Sequence, residues 1–435
     1  MPEAYQPTHL DRPPDAHVRS TGPKDLTRYG AVATFAFCLL IVGSNIPTPL
    51  FPTYRHTLEL STFTVTVIFA VYLLALVVTF TVAASTPLSR HSIRALPAAV
   101  AVCIAADAAL IAGGRHLPLL LTGRVLTGIA VGIGTGAAAA LVLATRGERG
   151  RAIAATGTLA GSFLGLTGSA LIGEYLPLPT VTVYLVHLVL LAGALGVLLV
   201  MTRRMRTALT HALHAPALRE VAPPATDADL AAAPITPAPI TPGLDTSGHG
   251  ATRPSRRLTL AGYGLGAGGW AIGGVVVGLL PTVVAEEWGS TSIIVPSLAP
   301  AILIGTACIS PRIFRSLRPM PVLLLIAAGS VIYLGGVWAG SLPAILACCA
   351  VWGIGQGFAY ADGLRIVTAG LMPIAQGRAA SRYASVCYGF SGVLAVSTGF
   401  AATGAGTLAA MVVMTAVFVA LCAATVALGH RQWRA

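Results

Sequence analysis

Three ionisable residues, Asp107, Arg124 and His187, interrupt long apolar stretches of a 435-residue chain in which only 10% of residues are charged. A charge at the centre of a bilayer costs from about 2.5 to more than 10 kcal/mol, so a residue kept there has work to do. Asp107 lies six residues before the end of its apolar run, and Arg124 and His187 each lie seven after the start of theirs. Helical rise then puts the three at one depth. Opposite charges in low dielectric favour each other's ionised forms, so the expected contact is Asp107 with Arg124, or failing that with His187. A carboxylate that takes up and releases a proton there could couple solute movement to a proton gradient. The alternative is a static pair that holds the fold together. Asp362 and Arg365 stand at i and i+3 near the end of another run and read as a structural pair.

A second unusual place is GSNIPTPLFPTY, Gly43 to Tyr54, where Pro47, Pro49 and Pro52 follow one amide, Asn45, at the end of an apolar segment. Each proline removes a backbone donor and crowds the carbonyl four residues back. Freed backbone at membrane depth survives where protein or a water-filled cavity satisfies it. The cluster therefore marks either a bend that opens and closes a pathway or a plain helix stop.

The elements that position these residues are membrane helices. The chain is 55% hydrophobic with mean hydropathy +0.80, whereas a soluble domain carries about 25% charged residues. Twelve apolar segments of spanning length run 29–51, 63–84, 96–113, 117–143, 153–173 and 180–201, then 260–283, 292–310, 320–339, 343–370, 381–403 and 407–428. They are apolar all round rather than alternating, which excludes barrel strands. Between the two sets lies 203–257, with its AAAPITPAPITPG tract, a composition for a flexible tether. The predicted organisation is a disordered tail over 1–28, a six-helix bundle over 29–202, a linker over 203–257, a second bundle over 258–428 and a tail over 429–435.

The net charge of +12 could point to nucleic acid, but 23 of the 27 Lys and Arg fall in the tails or the even-numbered loops. Arg55 and Arg115 alone fall in odd-numbered loops, and Arg124 and Arg365 lie within spans. Positive-inside then puts both termini and the linker in the cytoplasm of a multi-pass cell-membrane protein. Seven cysteines without metal-ligand spacing support neither a disulfide framework nor a metal site. The scarcity of lysine, whose single instance is Lys24, beside abundant arginine and alanine points to a bacterial, GC-rich source.

The two sets of spans repeat. PTYRHTLELST at 52–62 returns as PTVVAEEWGST at 281–291, GIGTG at 132–136 as GIGQG at 353–357, and GRA at 150–152 as GRA at 377–379. The offsets, 229, 221 and 227, are nearly one value. Two homologous six-helix halves with a site between them are the architecture of alternating-access carriers. Gly128, Gly132 and Gly136, and Gly157, Gly161 and Gly165, recur every four residues and let helices approach closely. They read as static packing or as a sliding surface between the halves.

With these motifs in view, the chain resembles the major facilitator superfamily, and within it the twelve-span drug:proton antiporters. Gly43, Pro49 and Pro52 resemble that group's Gly-x5-Pro-x-x-Pro, and NIPTPLFPTY resembles the N-x-P-T-P-L-Y of a bacterial carrier subset. Arg124 and Gly128 match an Arg-x-x-x-Gly motif whose arginine is associated with proton transfer. Gly161 and Gly165 match the antiporter Gly-x-x-x-Gly, with Leu166 where the family has proline. In the loop from Thr86, TPLSRHSIR, Arg90 replaces the family's aspartate and Ile93 its second glycine. The resemblance implies two pseudo-symmetric bundles and a substrate cavity lined by spans one, four, seven and ten, with Asn45, Arg124, Trp270, Gln356 and Tyr360 as candidates. Gly43, Pro47, Pro49, Pro52, Gly161 and Gly165 become candidates for gating.

The function expected is export of small amphipathic compounds by alternating access, driven by protons, by a monomer in the lipid bilayer. The alternative is proton-coupled uptake of a small metabolite. Lys24, in TGPKDL, cannot serve a Walker A loop, and no HExxH, GxSxG or DxxD occurs, so neither an enzyme nor a cofactor is expected.

Overall fold

The computed structural model describes residues 23–85, 92–146, 148–221, 254–314, 317–371 and 373–433. Among them every regular element is a helix. The first half comprises α1 (Pro23–Asn45), α2 (Pro47–Thr57), α3 (Thr62–Ser85), α4 (Ser92–Gly113), α5 (Leu117–Arg146), α6 (Glu148–Tyr175) and α7 (Pro179–Val221). The second comprises α8 (Arg256–Gly278), α9 (Leu280–Glu287), α10 (Ile294–Ile313), α11 (Pro319–Trp338), α12 (Leu342–Thr368), α13 (Pro373–Ala405) and α14 (Thr407–Trp433). The pairs α1/α2 and α8/α9 are each one transmembrane segment interrupted at a single residue, Ile46 or Leu279. Ten described segments are long and apolar enough to cross a membrane. The 28-residue α6 and the shorter apolar stretch Ile294–Ser310 of α10 complete twelve.

Lipid explains the outer surface. Leu74, Val78 and Val82 on α3, and Leu185 and Val189 on α7, lie four residues apart and are exposed, as one helix face turned to hydrocarbon should be. Arg146 at the end of α5 donates to the Thr27 carbonyl (3.2 Å), so that end of the bundle, where α1 begins, is the terminal face. The opposite, distal face carries the exposed Tyr175 and Trp338 at the ends of α6 and α11, where amphipathic rings suit a membrane boundary.

Across the halves, α3 packs along α13 and α6 along α10, and α2 meets α9. The two copies of the PT…ST repeat thus face one another, and Arg55 on the first is ion-paired with Glu286 on the second. The carboxylate of Glu174 accepts from the Ile293 N–H (2.6 Å), the Ile294 N–H (3.3 Å) and the Ser292 hydroxyl (3.1 Å). The Phe63 N–H donates to Thr403 Oγ1 (3.1 Å). All these polar contacts between halves sit at the distal face.

Two boundaries change here, and one alternative left open above is resolved. The helix α1 begins at Pro23, inside the segment read as a tail, and α7 continues to Val221, into the segment read as a linker. The sequence RRMRTALTHAL after Met201 is rich in strong helix formers, which propagate a helix already started in the membrane. The rest of that tail and linker, and Arg90 with its loop, lie outside the described residues. The regularly spaced glycines pack inside the first half rather than between halves. A Cβ at Gly128 would lie 2.5 Å from the Tyr72 carbonyl of α3, and one at Gly165 would lie 2.5 Å from the Val42 carbonyl of α1. Gly136 and Gly157 touch nothing within 4 Å.

Candidate functional site

The interrupted turn of α1 is the centre of a polar cluster. Proline at 47, 49 and 52 deletes three donors, and the neighbouring carbonyls gain others. Ser169 on α6 donates to the Ile46 carbonyl (2.7 Å), and Arg124 on α5 donates from a terminal guanidinium nitrogen to the Ser44 carbonyl (3.0 Å). Arg124 Nε also donates to the Ile68 carbonyl of α3 (3.2 Å), and the guanidinium carbon lies 4.5 Å from the centroid of the Tyr72 ring. Only 1% of Arg124 is exposed. Asn45 donates to the Ile41 carbonyl (3.0 Å), Ser44 Oγ (3.0 Å) and Ser162 Oγ (3.2 Å), tying the break to α6.

About two turns before the break on α1, the Leu39 carbonyl accepts from His187 Nε2 (2.9 Å), and the other ring nitrogen, Nδ1, meets Asp107 Oδ2 at 2.7 Å. Of the two expected contacts of Asp107 the structure forms this one, while Arg124 turns to backbone carbonyls and the Tyr72 ring. The reason is steric: five guanidinium donors can serve carbonyls of two helices at once, whereas imidazole has one nitrogen for each side. A carbonyl only accepts, so Nε2 carries a hydrogen. The Nδ1–Oδ2 contact then needs a second proton, on the acid or on the ring. Both arrangements have zero net charge, and removing that proton would set a carboxylate against a lone pair. The pair is therefore a one-proton device, with exposures of 1% for Asp107 and 2% for His187.

Beside it, Cys103, Asp107 and His187 place ligand-type atoms within 4.8 Å of one another. Both nitrogens of His187 are already hydrogen-bonded, so proton-mediated bonds account for the cluster without an ion. Nearer the distal face, Tyr54 and Tyr184 share a hydroxyl contact of 2.9 Å.

The second half holds a different constellation. Trp270 on α8 packs against Tyr360 on α12 (centroids 5.5 Å) and Tyr388 on α13 (4.3 Å). Tyr360 continues to Tyr383 (5.3 Å) and Tyr383 to Tyr263 (5.7 Å), while Tyr388 reaches Phe80 of the first half (6.0 Å). Gln356, one turn before Tyr360, is buried against Gly273, where a Cβ would lie 2.8 Å from its Nε2. Asp362 and Arg365, two and five residues beyond Tyr360, form the expected ion pair, with the guanidinium largely exposed.

This arrangement of two six-span halves meets a known sequence pattern. The profile of the Major Facilitator Superfamily matches residues 33–396. The chain belongs to that superfamily. A structural comparison places this superfamily member beside a crystal structure of a mutant of the nucleoside transporter NupG, with a TM-score of 0.61 and 12% identity over 93% of this chain and 99% of that one. At that identity the likeness concerns the fold. Comparison with curated proteins finds no sequence match. The chain is thus a multi-pass membrane transporter of a small-molecule class rather than an enzyme.

As a member of the superfamily, the chain brings Asn45 and Arg124 to the break in the first half, and Trp270, Gln356 and Tyr360 together in the second. Sequence reasoning missed Tyr72, Tyr184 and Tyr388. Tyr184 lies three residues before His187, on the same helix face, and that spacing is a signal available in the sequence.

Proposed function

We propose that the chain exports small planar or amphipathic solutes from the cytoplasm in exchange for protons. The observation that carries this reading is the Asp107–His187 contact bonded to the Leu39 carbonyl, about two turns before the interruption of α1. A proton arriving at or leaving that pair changes what His187 offers α1, and α1 leads directly into the distal contacts of α2. The positive-inside pattern makes the termini cytoplasmic. The distal face, held by Arg55–Glu286 and Glu174, is then the closed outer gate, and the structure is the inward-facing state. Export is supported by the Gly43–Pro49–Pro52 pattern and by Gly161 and Gly165, which pack on the Cys38 and Val42 carbonyls beside the break. Arg124 serves as the fixed positive charge near the break, and the two bundles move as units of a monomer.

A second reading, proton-coupled uptake of a small metabolite, draws on the fold shared with a nucleoside transporter. Proteoliposomes separate the two. With the protein reconstituted and a pH gradient imposed, export by antiport drives solute against the flow of protons, and symport drives it with them. Solute flux indifferent to the pH gradient in both directions would overturn proton coupling altogether.

A further inference from the structure

Trp270 Nε1 and Gln356 Oε1 are two of five buried side-chain polar atoms in the second half that stand without a hydrogen-bond partner among the described residues. An unpaired buried donor or acceptor costs about 1–3 kcal/mol, so natural structures keep one where a ligand or water will complete it. Their residues belong to one packed cluster. Gln356 is packed on Gly273, three residues and hence one helical turn from Trp270 on α8, and its neighbour Tyr360 packs edge-on against the Trp270 ring. One atom is a pure donor, since indole accepts nothing, and the other is a pure acceptor. Around them the rings of Trp270, Tyr360 and Tyr388 supply flat apolar walls.

The same aromatic series leads to open space. Tyr263, at its end, lines a cavity of about 420 Å³ on the terminal face, with Arg378 and Arg382 also in the wall. Among the described residues no acidic side chain lines that cavity. A cation entering there meets two guanidinium groups and then a site whose indole N–H it cannot satisfy.

We infer that the substrate of this transporter is a planar nitrogen heterocycle without positive charge, bearing an N–H donor and a carbonyl acceptor on one edge, held against the cluster of Trp270, Tyr360 and Tyr388. The carbonyl accepts from Trp270 Nε1, the N–H donates to Gln356 Oε1, and the ring stacks on the aromatic walls. The inference rests on the transporter reading above and narrows its substrate: a lipophilic cation, which aromatic walls alone would welcome, is excluded.

The test is binding to the purified full chain in detergent, by calorimetry and by thermal shift, with 2-quinolone, N-methyl-2-quinolone and tetraphenylphosphonium as probes. The expected result is saturable binding of 2-quinolone, at least about tenfold weaker binding of the N-methyl compound, since a site built to pair a donor rejects the analogue lacking it, and no displacement by tetraphenylphosphonium. Gln356→Leu should erase the difference between the two quinolones, and Trp270→Phe, which keeps a ring and removes the N–H, should weaken both equally. Each variant is first checked for an unchanged elution profile and helical signal. Absence of quinolone binding, displacement by tetraphenylphosphonium, or discrimination that survives Gln356→Leu in folded protein overturns the inference. Proton-driven flux of a toxic solute in proteoliposomes, measured on the same preparation, keeps the two readings apart. Flux without quinolone binding removes this inference alone, and quinolone binding without proton-driven flux supports it while removing the proton-coupled reading.

Discussion

Gly43 on α1 and His187 on α7 approach so closely that a Cβ on the glycine would lie 2.6 Å from the imidazole Cε1 and 3.3 Å from Cys103 Sγ. The absent side chain is what lets His187 reach the Leu39 carbonyl and Asp107 at once. In Gly43→Ala the ring must move, because the alternative is a shift of α1 at the turn where its backbone is already interrupted. Overpacking of this kind costs about 1–3 kcal/mol. The expected outcome is a lowered unfolding temperature together with loss of pH-dependent transport. Wild-type coupling in Gly43→Ala would show that the ring position is immaterial to it.

Asp107→Asn tests the proton device without disturbing its shape. The asparagine amide can donate to His187 Nδ1 while Nε2–H still donates to Leu39, so every hydrogen bond survives with a neutral, fixed histidine. Thermal stability should therefore stay within about 1 kcal/mol of the parent. Net transport driven by a pH gradient should disappear, whereas exchange of labelled for unlabelled solute, which needs no net proton movement, should persist. Gradient-driven accumulation in the Asn variant would remove Asp107 from the coupling step.

The legible and illegible parts of this site differ in kind. Counting helical rise places Asp107, Arg124 and His187 at one depth, because rise per residue is fixed and the ends of apolar runs are visible in composition. Which of the two bases Asp107 meets depends on rotation about helix axes, and the low-amplitude apolar pattern of a membrane helix says little about rotation. The partners of Arg124, the carbonyls of Ser44 and Ile68, have no residue-type signature at all. The repeated PT…ST and GIG-x-G segments do announce two related halves, yet the break differs: it falls six residues before Pro52 in the first copy and two before Pro281 in the second. That asymmetry arises because Pro47 and Pro49 have no counterpart after Gly274. The glycine faces are visible as spacing, but a spacing rule names no neighbour, and they proved to serve α3 and α1 within one half.

Arg124 is a buried cation whose direct partners are carbonyls and an aromatic face. Replacing a buried charge by an apolar side chain of similar length is often neutral or stabilising. Arg124→Met should fold with an unfolding temperature equal to or above that of the parent, yet lose transport, because the Ser44 carbonyl at the break loses its donor. Arg124→Lys keeps the charge but replaces the planar fork by a point donor that cannot reach both carbonyls. It should be the less stable of the two variants. Comparison of the two melting curves with the parent decides the matter, and a severely destabilised Met variant would mean that the guanidinium is structural.

The distal face offers the sharpest conformational prediction. The Glu174 carboxylate, on α6 of the first half, sits on the first N–H groups of α10 in the second half. An anion at a helix N-terminus contributes about 0.3–1 kcal/mol through the dipole and more where it also accepts hydrogen bonds directly. This contact exists only while the halves are together at the distal face, so its free energy counts entirely toward the closed state and not toward the open one. Glu174→Gln removes the charge but keeps an acceptor, and Glu174→Ala removes both. Loss of about 1.4 kcal/mol from the closed state shifts the equilibrium about tenfold, with the Ala variant shifted further than the Gln variant. Spin labels at the exposed Tyr175 and Trp338 positions, one on each half, report the distance across the distal face. The short-distance population should dominate in the parent and yield to a longer one in the order parent, Gln, Ala. An unchanged distance distribution in Glu174→Ala would show that the Arg55–Glu286 pair and the α3–α13 packing hold this face closed without the cap.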